Sequence, residues 1–479
     1  MDNIKKDALY WLIGLFFVVY LVARAIILPI TIDEGGTYFN AVPRSVWSII
    51  TYQDPSPNNH IVNTLFIKIF VQLFGTSSLI VRLPNILGFV LYYIIAVLWL
   101  KRLNGNKIFV LFGIIVLTCN PYLLDFFGLA RGYGLSLSFL FISMYQIFLY
   151  FERKQIKNIY YAFILAAIGV YCNFTLLSFY ISLLSVTTLM LIQINWNSPL
   201  SAVFKKFLII FFITGLLALL CYTPISKIVE TDQLKYWSSN GFYTDTLIPL
   251  LGAMQYGNPQ FEKIGLRVYA GIIIGVIILL GTYVFTKNIK QHFNLSSDIL
   301  LFSFSVFIGT LVIIFLQFIL FDTPFLNARG SVFLYVLFII PVIYFTQRFY
   351  AINKKWKTAV ILPFLFLGIF HFVRTLNLYN CHEWWFDADT KKVLHYLDAM
   401  EGKKEISLNT YWIYNTSFQF HIQNDEWNNI ELAPYHQDLQ PEGNYMYYYC
   451  ERAQISELEK NYVEVISFNS GNNVLMRKR

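Results

Sequence analysis

A pair of adjacent carboxylates, Asp33 and Glu34, stands directly after the first long apolar run of the 479-residue chain. The first 375 residues contain only 13 acidic residues, so two in succession are unusual there. A carboxylate at a membrane boundary is partly desolvated, which favours its action as a base that takes a proton. Gly35 and Gly36 follow and would let a ligand approach the backbone closely. The competing interpretation is two solvated residues at the end of a helix.

Four basic residues are candidates for binding a phosphate at the membrane surface. Arg131 and Arg329 each stand at the start of an apolar run, beside glycine and other small residues. Arg82 begins another apolar run, and Lys68 lies within the apolar stretch 61–74. A guanidinium group binds phosphate through two parallel hydrogen bonds, and an ammonium group acts as a point charge. In the alternative interpretation these long side chains reach out to lipid headgroups.

His60 follows Asn59 just before the stretch 61–74, and either side chain could contact an acceptor hydroxyl or a phosphate. An isolated histidine is more often structural, so both interpretations stay open. Asp33, Glu34 and His60 are also ligand types for a divalent metal, but their spacing fixes no coordination geometry. A metal ion is therefore possible but not favoured, and no cofactor is predicted to be required.

Membrane helices must position these residues, because the composition excludes a soluble protein. Hydrophobic residues make up 57% of the chain and charged residues 13%, with a mean hydropathy of +0.54. Soluble domains are about 45–50% apolar and about 25% charged. Residues 1–375 carry 27 Lys and Arg against 13 Asp and Glu, whereas residues 376–479 carry 9 against 15. Since the basic part is the apolar part, its charge is expected to set topology and not to bind nucleic acid.

Eleven apolar segments are predicted to cross the membrane. They are 8–30, 79–100, 108–124, 132–151, 159–172, 174–194, 207–224, 268–286, 299–321, 331–346 and 358–374. The stretch 61–74 predicts an interfacial helix, with a span-like role as the alternative. The connecting segments alternate in charge: one set holds 16 basic residues, and the longer set holds 7. The positive-inside rule then places the N-terminus in the cytoplasm and the long loops 31–78 and 225–267 outside.

Residues 376–479 predict a small α/β domain on the outer side, after a transmembrane domain of residues 1–375. Helical spacing occupies 387–400 and 455–462, and short strands are expected at 405–411, 430–434, 445–450, 463–468 and 473–476. Cys381 and Cys450 both lie in this tail, where they could pair as a disulfide or stay as free thiols.

The order of these motifs resembles that of the GT-C superfamily of polytopic glycosyltransferases. The motifs are Asp33-Glu34, Asn58-Asn59-His60, Arg82-Leu-Pro, Ala130-Arg131-Gly-Tyr and Asn327-Ala-Arg329. The nearest likeness is to bacterial relatives of the protein mannosyltransferases and to the lipid A aminoarabinose transferases, over residues 8–345. Each motif alone is weak, whereas their order and their shared side of the membrane are more specific.

The resemblance implies a reaction and a role for each motif. GT-C members transfer a sugar from a polyprenyl-phosphate carrier to an acceptor outside the membrane, here a glycolipid, an envelope polymer or a protein. Asp33 would be the catalytic base, with Glu34 as its partner or alternate, and Arg131 and Arg329 would hold the lipid phosphate. Direct attack on the donor would invert the anomeric carbon. Asp125 is then the candidate to orient Arg131.

The expected location is the bacterial cytoplasmic membrane, in contact with its lipids, and two other functions compete. A polytopic transporter or lipid flippase would keep ionisable groups near the middle of its spans, whereas the polar residues of this chain gather at one face. A membrane scaffold whose tail binds partners is the third possibility, and it leaves the pair Asp33 and Glu34 unexplained.

Overall fold

The fold was derived from a computed structural model, and it consists of a bundle of long helices followed by a small sheet domain. The structure describes residues 2–196, 199–233, 240–256, 264–289, 292–352, 357–402, 404–425, 427–468 and 472–479. Parts of the predicted outer loop 225–267, namely 234–239 and 257–263, therefore lie outside the described residues.

Sixteen helices precede the sheet domain within the described ranges. They are α1 (Asp2–Ile27), α2 (Ile32–Asn40), α3 (Val46–Ile50), α4 (Ile61–Phe74), α5 (Ser78–Leu103), α6 (Lys107–Thr118), α7 (Pro121–Gly128), α8 (Gly132–Arg153), α9 (Ile156–Cys172), α10 (Leu177–Ile194), α11 (Leu200–Glu230), α12 (Ile248–Met254), α13 (Ile264–Asn288), α14 (Ile299–Phe321), α15 (Val332–Ile352) and α16 (Lys357–Thr375). One continuous apolar core joins the long helices, and many of its contacts are between aromatic rings.

The polytopic helical class is confirmed. Among the described residues, eight helices are long and apolar enough to cross a membrane, and a ninth is added if α6 and α7 form one span bent by 64°. The predicted spans 159–172 and 358–374 fall on shorter apolar helices, Ile156–Cys172 and Ile361–Thr375. The predicted span 108–124 thus falls on two helices, α6 and α7, and each of the other ten coincides with a helix. Eleven crossings remain a prediction.

The short helix α2 begins where its sequence places a capping box. The Thr31 hydroxyl accepts a hydrogen bond from the Glu34 backbone N–H at 3.3 Å, and the Glu34 carboxylate accepts one from the Thr31 N–H at 2.9 Å. This exchange turns the Glu34 side chain back toward the helix start. The Asp33 side chain lies about 100° around the helix from that of Glu34 and therefore points in another direction.

The tail forms a five-stranded mixed sheet, which confirms the predicted α/β class. The elements are α17 (Thr390–Glu401), β1 (Ile406–Thr410), α18 (Trp412–Asn424), β2 (Ile430–Leu432), β3 (Tyr447–Glu451), α19 (Ile455–Leu458), β4 (Tyr462–Phe468) and β5 (Asn473–Lys478). The strand order is β2-β1-β3-β5-β4, with β1 parallel to β2 and β3 and with β5 antiparallel to β3 and β4.

Two details of the tail differ from the sequence prediction. The helix expected over 455–462 ends at Leu458, because Tyr462 already belongs to β4. Helix α18 was not predicted, and its buried residues include the polar Asn415, Ser417 and His421 beside aromatic side chains. Cys381 and Cys450 are both buried free thiols that pack in different apolar clusters, so the disulfide alternative is wrong for this structure.

Helix α18 joins the tail to the first outer loop. The Ser417 hydroxyl donates to the Ile30 carbonyl at 2.5 Å, and the Ile30 N–H donates to the His421 ring at 3.0 Å. The Asp387 carboxylate accepts from the Ile32 N–H at 2.9 Å. The chain entering α2 is therefore held by the tail at three backbone groups.

Candidate active site

Asp33 lies at the centre of a cluster of charges, between two arginines that are distant in sequence. Its Oδ2 atom lies 3.1 Å from the Arg329 Nη1 and 3.4 Å from the Arg131 Nη2. Its Oδ1 accepts a hydrogen bond from the Asn58 side-chain amide at 3.3 Å. The Asp33 side chain is 17% exposed, so a ligand can reach it. The structure thus brings together the predicted base and two of the predicted phosphate ligands.

Arg131 is held rigidly at the point where α8 begins. Its Nη2 donates to the Asn58 Oδ1 at 2.9 Å, and its Nη1 donates to the Asp33 backbone carbonyl at 3.3 Å. The next residue is glycine for a steric reason: a Cβ at Gly132 would lie 2.1 Å from the Cys172 carbonyl oxygen. Asn58, which bridges Arg131 and Asp33, therefore orients this arginine.

Asp125 does not orient Arg131, contrary to the expectation. It forms a buried ion pair with Arg24 at 2.5 Å, and it accepts further hydrogen bonds from the Tyr256 hydroxyl and the His382 N–H. Arg24 was not predicted, because it lies inside the first predicted span, where a single arginine carries no positional signal.

Arg329 approaches Asp33 from the loop between α14 and α15 and keeps a side chain that is 30% exposed. The ring of Trp384, from the segment that leads into the tail, lies 5.5 Å from its guanidinium carbon and 5.8 Å from that of Arg131. The adjacent Glu383 accepts a hydrogen bond from Tyr122 and lies close enough to influence the charge of Arg329. Neither tail residue was predicted, since both follow the last span.

A cavity of about 260 Å³ opens beside the arginines. One part of its lining is polar and includes the described residues Asn58, Asn59, His60, Arg131 and Arg329. The remainder is mainly apolar and comes from α10, α11 and the loop before α15. It includes Phe174, Leu177, Ile225, Ile228, Val229 and Leu326. The arrangement suits a ligand with a charged polar head and an apolar chain.

His60 and Asn59 lie in the wall of this cavity, beside the arginines. The His60 Nε2 and the Asn59 Oδ1 are buried and have no hydrogen-bond partner in the structure. Burial, together with the positive charge of Arg131, holds the pKa of His60 well below its usual range. A neutral imidazole and a free amide oxygen can bind a hydroxyl group, and the buried Tyr171 hydroxyl and Thr175 hydroxyl beside them also lack partners.

Glu34 and Arg82 form a separate, fully buried ion pair. The Glu34 Oε2 lies 2.6 Å from the Arg82 Nη2, and neither side chain is exposed at all. Glu34 also accepts from the backbone N–H groups of Thr31 and Ala130, and Arg82 donates to three backbone carbonyls at the end of α1. Burial alone would raise the pKa of Glu34, but Arg82 and these hydrogen bonds lower it. Both side chains are buried and neither lines the cavity beside Asp33, so nothing in this structure supports their predicted roles, which stay predictions.

Lys68 also lies away from Asp33. Its ammonium donates to the Val42 carbonyl at 2.9 Å and lines a second cavity with Tyr38, Gln72 and Gln423. Lys68 is therefore not among the residues that surround Asp33, and its contact with a donor phosphate stays a prediction.

The fold that carries this site is similar to that of two solved structures. Two crystal structures of ArnT from Cupriavidus metallidurans, one bound to undecaprenyl phosphate and one in the apo state, each match this chain with a TM-score of 0.54. The match covers 99% of this chain and 98% of that chain at 11% identity. The chain has the ArnT fold. No protein-family model matches the sequence, and no curated protein matches it.

This likeness shows a shared fold along almost the whole chain, from the membrane helices to the sheet domain. In this chain, Asn58, Trp384 and Glu383 join the predicted residues around Asp33 and the two arginines. Within the described residues, no group of three His, Cys, Asp or Glu side chains is arranged to hold a metal ion. In the sequence, Asn58 was marked as a site residue only by its place in the Asn58-Asn59-His60 motif.

Proposed function

We propose that this protein is a membrane glycosyltransferase that moves a sugar from a polyprenyl-phosphate carrier to an acceptor outside the cytoplasmic membrane. The observation that carries the proposal is the position of Asp33 between Arg131 and Arg329, two arginines that line a cavity with a polar part and an apolar part. The crystal structure of ArnT bound to undecaprenyl phosphate supports the proposal, because a protein of the same fold binds a polyprenyl phosphate.

The charge of the cluster suits such a donor. Two guanidinium groups face one carboxylate, which leaves one positive charge for the single negative charge of a sugar phosphodiester. When the bond to the sugar breaks, the departing lipid phosphate gains a second negative charge. Arginines fixed in advance stabilise that extra charge more in the transition state than in the ground state. Such a leaving group does not require a divalent metal.

Asp33 is proposed to act as the base. Its carboxylate takes a proton from an acceptor hydroxyl or amine, and the acceptor atom forms a bond to the anomeric carbon. The bond from that carbon to the phosphate oxygen breaks, and its electron pair leaves with the polyprenyl phosphate. Attack from the side opposite the phosphate inverts the anomeric carbon. His60 and Asn59 are placed to bind sugar or acceptor hydroxyls during this step.

Replacing Asp33 tests the assignment of the base. Asp33→Asn keeps the hydrogen-bonding shape but cannot accept the proton, so we expect transfer in membranes to fall by about 10²–10⁴-fold. The measurement is transfer of labelled sugar from a synthetic polyprenyl phosphate to total membrane acceptors. Asp54→Asn is the matched control, since Asp54 lies in the same loop and pairs only with the exposed Arg44. A rate near that of the wild type in Asp33→Asn would contradict the proposal.

A transporter or lipid flippase is the second candidate, and one observation favours it. The buried pair of Arg24 and Asp125 lies within membrane helices, where ionisable groups often mark a transport path. Neither residue lines the cavity beside Asp33, however, and backbone groups of the tail saturate the pair. The labelled-sugar assay separates the two functions, because a transporter moves its substrate without forming a covalent product.

A further inference from the structure

The segment that connects α16 to the tail is fixed against the membrane helices by a buried ion pair. Arg24 donates to the carbonyls of Asn377 and Asn380 at 2.8 and 2.9 Å, and Asp125 accepts from the His382 N–H at 2.9 Å. These bonds hold the backbone of residues 377–382, so the two residues that follow have a defined position. Glu383 and Trp384 are placed over the end of the bundle that carries Asp33.

Trp384 contacts both arginines of the Asp33 cluster at once. Its ring centroid lies 5.5 Å from the guanidinium carbon of Arg329 and 5.8 Å from that of Arg131, which is within the range of a cation–π contact. The side chain is 3% exposed and packs in the apolar core of the membrane helices, not in the core of the tail. The next residue, Trp385, is 42% exposed, and its ring lies edge-on to that of Phe386.

We propose that Trp384 is a positioning residue that keeps Arg131 and Arg329 in place for the donor phosphate, so that the tail completes the active site. This inference rests on the proposed glycosyltransferase function and adds a role for the residues after the last membrane helix. Trp384 acts through the arginines and does not touch the reacting atoms.

The reason lies in what happens to the arginines when a donor binds. In the donor-free site both guanidinium groups are paired with Asp33, and this pairing weakens when Asp33 turns to meet an acceptor proton. Without another side chain to hold them, the positively charged guanidinium groups of Arg131 and Arg329 would then repel each other. The π face of Trp384 attracts both cations and uses none of their N–H groups, which stay available for phosphate.

Two substitutions of Trp384 distinguish the π contact from simple packing, because the two side chains that they introduce are similar in size. Trp384→Phe keeps an aromatic face, whereas Trp384→Leu keeps an apolar side chain without one. We expect Trp384→Leu to raise the KM for the polyprenyl-phosphate sugar by roughly tenfold and Trp384→Phe to raise it about two- to threefold, with thermal unfolding unchanged between the two variants. Trp385→Leu is the matched control and should behave as the wild type. Equal KM values for Trp384→Leu and Trp384→Phe would overturn the inference.

A double-mutant cycle and a spectroscopic readout complete the test. Because Trp384 acts through Arg329, the effects of Trp384→Leu and Arg329→Ala on binding of undecaprenyl phosphate should not add, and strict additivity would overturn the inference. Titration with undecaprenyl phosphate should change tryptophan fluorescence in the wild type and not in Trp384→Phe, a comparison that does not depend on the leucine variant folding. The same fluorescence change in both would also overturn it.

The binding measurements distinguish a wrong role for Trp384 from a wrong proposed function. If Arg329→Ala weakens binding of undecaprenyl phosphate and Trp384→Leu does not, the function stands and the role of Trp384 is wrong. If neither Arg329→Ala nor Arg131→Ala weakens binding, the phosphate site itself is wrong and the role of Trp384 falls with it.

Discussion

At the scale of single residues, the same pairing of acid and arginine serves two different purposes in this protein. Glu34 and Arg82 satisfy each other completely inside the protein, with backbone groups filling their remaining hydrogen-bond positions. Asp33 shares two arginines at longer distances and stays partly exposed. Loss of one partner from a fully satisfied buried pair destabilises a fold, whereas a loosely held, accessible carboxylate is available to a ligand.

The buried pair leads to a prediction about stability. Glu34→Gln would leave the Arg82 charge buried without its partner, and we expect the free energy of unfolding to fall by about 3–5 kcal/mol. Thermal unfolding of the purified protein in detergent measures the change. Asp54→Asn removes one member of an exposed pair, so its loss should stay below about 1 kcal/mol. Equal losses in the two variants would contradict the structural role of Glu34.

At the scale of secondary-structure elements, the first outer loop depends on α18 of the tail for its position. Ser417 and His421 bind the Ile30 backbone, and a Cβ at Gly35 would lie 2.9 Å from the Thr416 Cβ. The small residue after the acidic pair is therefore needed for packing of α2 against α18. Because α2 carries Asp33, the docking of the tail sets where the proposed base lies.

His421 makes this docking sensitive to pH. Its Nε2 accepts from the Ile30 N–H and its other ring nitrogen bonds Asp425, which requires a neutral ring. Burial lowers the pKa of His421, assisted by the Lys391 charge and opposed by Asp425. The unfolded chain therefore takes up the proton first, and stability should fall as the pH drops below about 6.5.

Thermal unfolding at pH 7.5 and at lower pH, in the wild type and in His421→Gln, measures this contribution. The stability of His421→Gln should fall less than that of the wild type as the pH drops, because glutamine does not titrate. Carboxylates elsewhere contribute equally to both proteins, so an identical pH dependence in the two would refute the role of His421.

At the scale of the whole molecule, the proposed function requires the Asp33 cluster to face the outside of the cell. The basic loops lie at the other ends of the helices, and the tail packs directly on the first outer loop. From the positive-inside rule we therefore propose that the tail and the Asp33 cluster lie together outside the cytoplasmic membrane. A lipid carrier with its chain in the bilayer presents its phosphate at that depth.

Reporter fusions test this orientation. Alkaline phosphatase, which is active only outside the cytoplasm, should be active when fused after Arg479 and inactive when fused after Lys154, in the basic connection between α8 and α9. The opposite pattern would place the Asp33 cluster on the cytoplasmic side and contradict the proposed reaction at the outer face.

The sequence by itself determined the membrane-helix architecture, the strands of the tail and the positions of Asp33, Arg131 and Arg329 at span ends. These properties follow from local patterns, since apolar length, alternation and charge bias are read along the chain. Only the tertiary structure decided how the charges of the candidate site pair, because this pairing joins residues that are 48 to 296 positions apart, such as Glu34 with Arg82 and Asp33 with Arg329. It separated Glu34 from Asp33 through a capping box, and it brought Trp384 to the two arginines. A residue's partner depends on the folding of the whole chain, which no local spacing encodes.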